Sequence, residues 1–404
     1  MLNPRIYLLA LGTFTVGTEG YVVAGVLPQV ARDLHTTVPV VGQLVTVFAL
    51  AYAILGPPLI ARAHALPPRR LLVGAALLFA AANAVAAVAP GLAVLVAARI
   101  AAAAGAALFM APAASIAAAL APPDKLPKAI AVTATGNALA LTAGAPLGTV
   151  IASALGWRAA FWFVTALALV TAALVAVLLP DVRPATAEAA RRADLARSPG
   201  IRWAAATTFA LFLAAYTLYT YLSPVVAAAT GRGSGAVALL MVTFGAGGLI
   251  GGRLIGHILT RTDLARTLRY VLGVVASVIA IIAALTATGG HQDPNLVLLF
   301  PAMLILGAAW WSGGISQQTR FVLLAPGQRS TALSLHFSAQ FLGVATAGAL
   351  GGLTLTTFSA TGIPVVAVAI ALLAQPTVRK LTSTRPEAAT RQNAVVISSG
   401  DQQG

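Results

Sequence analysis

Glu19 stands near the middle of an apolar stretch from Gly12 to Pro28, GTFTVGTEGYVVAGVLP. No other Asp or Glu lies inside any long apolar run of the chain. A charge at the centre of hydrocarbon costs at least about 2.5–3.5 kcal/mol on insertion scales, so an acid kept there marks a functional site by default. The chemistry open to it is proton exchange. The bland alternative is a structural hydrogen-bond partner, or a place near the interface. Thr13, Thr15 and Thr18 make the segment unusually polar and favour the functional reading. Arg99 is the second embedded charge. A guanidinium at that depth must bond carbonyls or an acid, unless it snorkels to the nearer interface. His336 titrates near neutral pH and ranks below Glu19 as a proton carrier.

These residues are positioned by membrane-spanning helices. The 404-residue chain is 59% apolar and 9% charged, against about 25% charged in soluble domains. A span needs about 20 apolar residues to cross 30 Å of hydrocarbon. The sequence predicts an all-α polytopic membrane protein with twelve spans, at 6–28, 40–61, 70–90, 93–120, 128–154, 159–180, 203–229, 235–259, 267–288, 295–317, 331–356 and 360–378. There are no cysteines, which excludes disulfides, thiol catalysis and Cys-based metal sites. No metal site and no cofactor is expected.

The net charge of +15 does not point to nucleic acid. The basic residues fall in short connections on alternate sides of the apolar runs, with no aromatic-basic module. One side holds Arg62, Arg69, Arg70, Lys125, Lys128, Arg183, Arg261, Arg266, Arg320 and Arg329, among others. The other holds only Arg32, Arg158 and Arg232. By the positive-inside rule both termini are cytoplasmic, in a multi-pass protein of the cell membrane. The first span reads as an uncleaved signal anchor.

A polar connection at 181–202, with a short surface helix expected around 185–197, divides the chain. The expected units are an N-terminal six-helix bundle at 1–180, a C-terminal one at 203–381, and a disordered tail at 382–404. The halves echo each other. Pro28 and Pro224 are separated by the same interval as Gly56 and Gly252, and Asn137 and Gln340 by a second interval that Gly148 and Gly351 share. Such repeats place a substrate near the midplane between the halves.

The motifs in order resemble the major facilitator superfamily, and within it the twelve-span drug:proton antiporters of the chloramphenicol-resistance and arabinose-efflux-like branch. The resemblance runs from the first span to about Thr356. It rests on GTEGYVVAGVLPQVARDL, on Gly56 followed by Pro68-Arg69-Arg70, and on Leu95…Arg99…Gly105-Ala106-Ala107. It also rests on Gly136…Gly144-Ala145-Pro146-Leu147-Gly148, Gly156-Trp157-Arg158, Phe161-Trp162 and GGRLIGHILTR. Departures are Gly20 in place of an aromatic, a missing Asp in the loop after span two, Ala102-Ala103 in place of Gln-Gly, and Gly256 in place of an acid. The missing acids weaken a charge-relay gate.

The resemblance implies two pseudo-symmetric six-helix bundles and proton-coupled export of small, largely apolar organic compounds. It makes Glu19 and Arg99 the proton-coupling pair. It makes Gly56, Arg69, Arg70, Gly252 and Arg253 gate residues, and Gly144, Pro146 and Gly148 a tightly packed seal. From the residues themselves, small side chains let helix backbones approach. Aromatics with a few hydrogen-bonding groups suit an amphipathic organic ligand. The candidate cavity residues are Tyr21, Asn137, Tyr216, Tyr219, Trp310, Gln317, His336 and Gln340, with Tyr221, Trp311 and Gln318 nearby. The expected partners are a small organic substrate, protons and the bilayer, and the expected state is a monomer. Efflux of a polar metabolite is the alternative, and a non-transporting sensor or scaffold the alternative of another class. An intramembrane enzyme lacks its parts: no HExxH, no pair of membrane aspartates and no thiol.

Overall fold

The computed structural model describes residues 2–63, 66–180, 192–231, 234–259, 261–288 and 293–379. Every regular element among them is helical. In lipid each backbone group must be satisfied within its own segment, and apolar runs this long have no other solution. The first half holds α1 (Arg5–Asp33), α2 (Val38–Ala63), α3 (Pro68–Ala87), α4 (Leu92–Leu120), α5 (Leu126–Leu139), α6 (Ala145–Leu155) and α7 (Trp157–Leu178). A short α8 (Arg192–Arg197) follows. The second half holds α9 (Pro199–Thr220), α10 (Leu222–Thr230), α11 (Ser234–Ile258), α12 (Leu264–Ala287), α13 (Asp293–Leu324) and α14 (Arg329–Arg379).

Ten described helices are long and apolar enough to cross a membrane. Two details reconcile them with twelve crossings. The predicted fifth span is α5 and α6 joined by a widened π turn at Ala140–Gly144. Pro146 follows at the start of α6. Proline offers no N–H to the preceding turn, and a π turn is one way a helix absorbs that loss. The predicted eleventh and twelfth spans run together as α14, broken at Ser359, where φ is 60°. The predicted seventh span is α9 and α10, jogged at Tyr221.

The expected linker is described in part, and the expected tail lies wholly outside the described residues. Residues 181–191 and 380–404 lie outside the described residues, and α8 is the described part of the expected surface helix.

In the first half α3 packs on α4 and α7, α2 on α4, and α1 on α5 and α7. In the second, α9 packs on α14, α11 on α13, and α12 on α13 and α14. The halves meet along two seams, α2 against α14 and α5 against α11. The echo in sequence recurs in packing. A Cβ on Gly148 would collide with Val22 of the first span of its half, and a Cβ on Gly351 with Tyr221 at the end of α9.

One shared core joins Phe48, Tyr52, Ile130 and Ala131 to Ile255, Ile315, Val322, Leu333 and Phe337. Most of these lie toward the helix ends that carry the basic connections. Toward the opposite face the first half packs a cluster of its own, including Val22, Val26, Leu44 and Phe161, with no second-half member among the described residues. The molecule is therefore closed on its basic face. On the opposite face Asp33 at the end of α1 is held by Trp157 Nε1 at 2.8 Å and by Arg158 Nη1 at 3.1 Å. That accounts for Trp157 and Arg158 of the Gly156-Trp157-Arg158 motif.

Candidate functional site

Glu19 and Arg99 are each 1% exposed. Arg99 reaches from α4 to form an ion pair with Glu19 of α1. Its Nε donates to the Leu44 carbonyl at 3.3 Å, and its guanidinium lies 4.3 Å over the Phe48 ring. The snorkelling alternative is overturned, because the side chain turns into the bundle. The pair is enclosed by α1, α2 and α4. It does not open into the central cavity.

Span five holds α1 in place. Cβ atoms added at Gly136, Gly144 and Gly148 would collide with Ala10, Thr18 and Val22. The offset between partners is constant, so the two helices run parallel in close contact. Thr13 Oγ1 bonds the Thr133 carbonyl at 2.5 Å across the same contact. Thr15 and Thr171 share a hydrogen bond of 2.9 Å. Thr13 and Thr15 thus bond neighbouring helices, while Thr18 Oγ1 donates to the Phe14 carbonyl of its own helix at 2.8 Å.

The α5–α11 seam is built in the opposite sense. Gly245 faces Thr142, Gly252 faces Thr135, and Gly256 faces Ala131. As one number rises the other falls by the same amount, which is antiparallel packing of two smooth faces. On the other seam Tyr52 lies against Phe341 with ring centroids 4.1 Å apart, and a Cβ on Gly56 would stand 3.5 Å from Ser338 Oγ. Arg69 and Arg70 are not on either seam. They open α3 beside Val73, Gly74, Leu77 and Ala176, in a groove between α3 and α7. Arg253 is exposed on α11 beside Gly252.

A cavity lies between the halves near their middle. Its wall includes Thr13, Tyr21, Thr133 and Asn137 from the first half. From the second come Phe212, Tyr216, Trp310, Trp311, Gln318, Phe337 and Gln340. Among the described residues, no Asp, Glu, Lys, Arg or His lines it. Tyr21 and Asn137 of the first half and Tyr216 of the second share this wall. Trp310 packs edge-on to Phe212, Tyr216 and Trp311, with centroids 4.7–5.3 Å apart.

Five of the eight expected cavity residues line it: Tyr21, Asn137, Tyr216, Trp310 and Gln340. Tyr219 stands behind the wall against Tyr216 and Phe244. Gln317 is buried and bonds the Ala204 carbonyl at 3.2 Å, while its neighbour Gln318 faces the cavity. His336 is 0% exposed, packed between Phe321 and Phe337, and its Nδ1 meets Thr208 Oγ1 at 3.3 Å. Arg320, expected in a connection, is 1% exposed inside α13, with Nη1 donating to Thr207 Oγ1 at 3.3 Å. Phe212, Thr133 and Phe337 of the wall carried no signal in the sequence. They are ordinary residues of spans that happen to face inward.

Comparison with known proteins bears on what this architecture is. The family model for the Major Facilitator Superfamily matches residues 9–348. A chloramphenicol resistance protein of Streptomyces lividans is 33% identical over 96% of this chain and 99% of its own. An uncharacterized MFS-type transporter of Bacillus subtilis, YbcL, is 30% identical over 92% of this chain and 94% of its own. Among solved structures, a bacterial homologue of the iron transporter ferroportin in its outward-facing state superposes with a TM-score of 0.76 at 17% identity, covering 95% of this chain and all of that one. The transporter FucP in its outward conformation superposes with a TM-score of 0.71 at 16% identity, covering 93% of this chain and 98% of that one. Those two likenesses speak to the fold. The paired halves, the midplane cavity and the match along most of the chain together show that the protein belongs to the major facilitator superfamily, a family of membrane transporters and not of enzymes.

Proposed function

We propose that the protein exports small, largely apolar organic compounds of the drug or antibiotic class in exchange for protons, by alternating access. The observation that carries this reading is the cavity wall. Six aromatic side chains and three amides line it, with no acid or base among them. A polar-metabolite carrier would need a wall richer in amides and acids to replace lost hydration. The chloramphenicol resistance relative supports the same substrate class.

In this reading the protein works as a monomer in the plasma membrane, with both termini cytoplasmic. The closed basic face is then the cytoplasmic one, and the cavity is served from outside. The bundles at 1–180 and 203–381 rock about it, joined by the 181–202 linker, with 382–404 as a cytoplasmic tail. Glu19 takes a proton from outside, and its release inside accompanies the return of the substrate-binding state. Exchange follows when proton and substrate favour opposite conformations. The neighbouring Arg99 holds the unprotonated carboxylate in place.

The test is flux in proteoliposomes. Chloramphenicol and a panel of lipophilic antibiotics are loaded, and movement is followed with and without an imposed pH gradient. Gradient-dependent export with stoichiometric proton movement is expected. Export that ignores the gradient, or movement of sugars in place of these compounds, overturns the reading.

A further inference from the structure

The export reading leaves open which apolar compounds fit, and two features of the cavity narrow the choice. The first is its lack of charge. No Asp, Glu, Lys, Arg or His among the described residues lines it, and the Glu19–Arg99 pair is shut inside the first half with its charges matched. An organic cation entering this space would lose its hydration and gain no counter-charge. Aromatic faces alone compensate a cation only in part.

The second feature is Trp310. It lines the cavity and is 5% exposed. Its Nε1–H is buried and has no hydrogen-bond partner among the described residues. An indole nitrogen is a donor only. A buried donor with no partner among the described residues is costly, and a ligand acceptor that meets it restores the missing bond. Around it stand the faces and edges of Phe212 and Tyr216, which suit an aromatic ring.

We infer that the cavity selects uncharged aromatic molecules carrying a hydrogen-bond acceptor, such as a carbonyl or nitro oxygen, and that Trp310 Nε1–H binds that acceptor. Trp310 is then a specificity residue of the exporter, and permanently charged aromatic cations are excluded. The inference rests on the export reading.

The experiment uses the purified full chain. Equilibrium binding and proteoliposome flux are measured for three probes: chloramphenicol, which is neutral with acceptors; tetraphenylphosphonium, an aromatic cation; and biphenyl, neutral without an acceptor. Trp310→Phe keeps an aromatic ring and removes the donor. The parent is expected to bind and move chloramphenicol, while tetraphenylphosphonium neither moves nor competes. Trp310→Phe is expected to weaken chloramphenicol binding about tenfold, and to weaken it more than it weakens biphenyl binding. Equal chloramphenicol affinity in a monodisperse, parent-like Trp310→Phe protein overturns the role of Trp310. Transport of tetraphenylphosphonium on a par with chloramphenicol overturns the charge selection, and this arm needs no variant. If the parent moves none of the three probes and none of the antibiotic panel, the export reading itself falls.

Discussion

Tyr21 and Tyr216 line the cavity from opposite halves, and Glu19, two residues before Tyr21 on α1, pairs with Arg99 inside the first half. Residues two apart on a helix point about 200° from each other. One helix therefore carries the charge on one side and the cavity contact on the other. A change of charge at Glu19 that shifts α1 also moves Tyr21. In the proposed export cycle this gives the proton a route to the substrate without sharing its seat.

Glu19→Gln keeps the shape of the protonated acid and removes titration. It is expected to abolish export driven by a pH gradient while chloramphenicol still binds. The measurement is proteoliposome flux with and without the gradient, beside equilibrium binding. Parental export still coupled to proton movement would place the proton elsewhere, and His336 would be tested next.

Arg99→Met leaves a carboxylate buried without its counter-charge. Breaking one partner of such a pair typically costs about 3–5 kcal/mol. Thermal unfolding in detergent is expected to fall sharply for Arg99→Met. It should recover in large part when Glu19→Gln is added, because the stranded charge is then gone. Independent, additive losses would mean the two side chains do not act as a pair.

Gly148→Leu drives a side chain into Val22 on the parallel α1 contact. Overpacking of this kind costs about 1–3 kcal/mol. The variant is expected to insert and purify, with a lower melting temperature and slower export. Normal export at normal stability would show that close approach at Gly148 is unnecessary.

Ala131→Cys with Gly256→Cys tests the antiparallel seam. A Cβ on Gly256 stands 3.1 Å from that of Ala131, close to the separation a disulfide needs after slight relaxation. The chain has no cysteine of its own to compete. Oxidation is expected to cross-link the halves on the basic face and stop transport, and dithiothreitol to restore it. Full transport by the cross-linked protein would mean this seam never opens.

Much of the architecture was legible in the sequence because lipid imposes a blunt rule. An apolar run of about 20 residues must be a helix, and an acid within one is rare enough to stand out, as Glu19 did. The glycines of span five were legible for a related reason. Gly136, Gly144 and Gly148 recur on one face of a helix, where only a close neighbour gives small residues a use. Arg99 was legible as a buried charge through its depth in the span.

The sequence did not determine the rotation of each helix about its own axis. In water the apolar stripe of a helix reveals its inner face; in a bilayer, lipid and protein interior are equally apolar, and that contrast disappears. Gln317 and Gln318 are adjacent polar residues of α13, and only the packed structure turns Gln318 to the cavity and Gln317 to the Ala204 carbonyl. Arg320 looked like a topology signal near a helix end, yet its guanidinium folds back to Thr207. Tyr219 differs from Tyr216 by less than a turn and stands behind the wall. The identities of the helices came from the chain, and their facing came from how the fourteen described α-helices pack against one another.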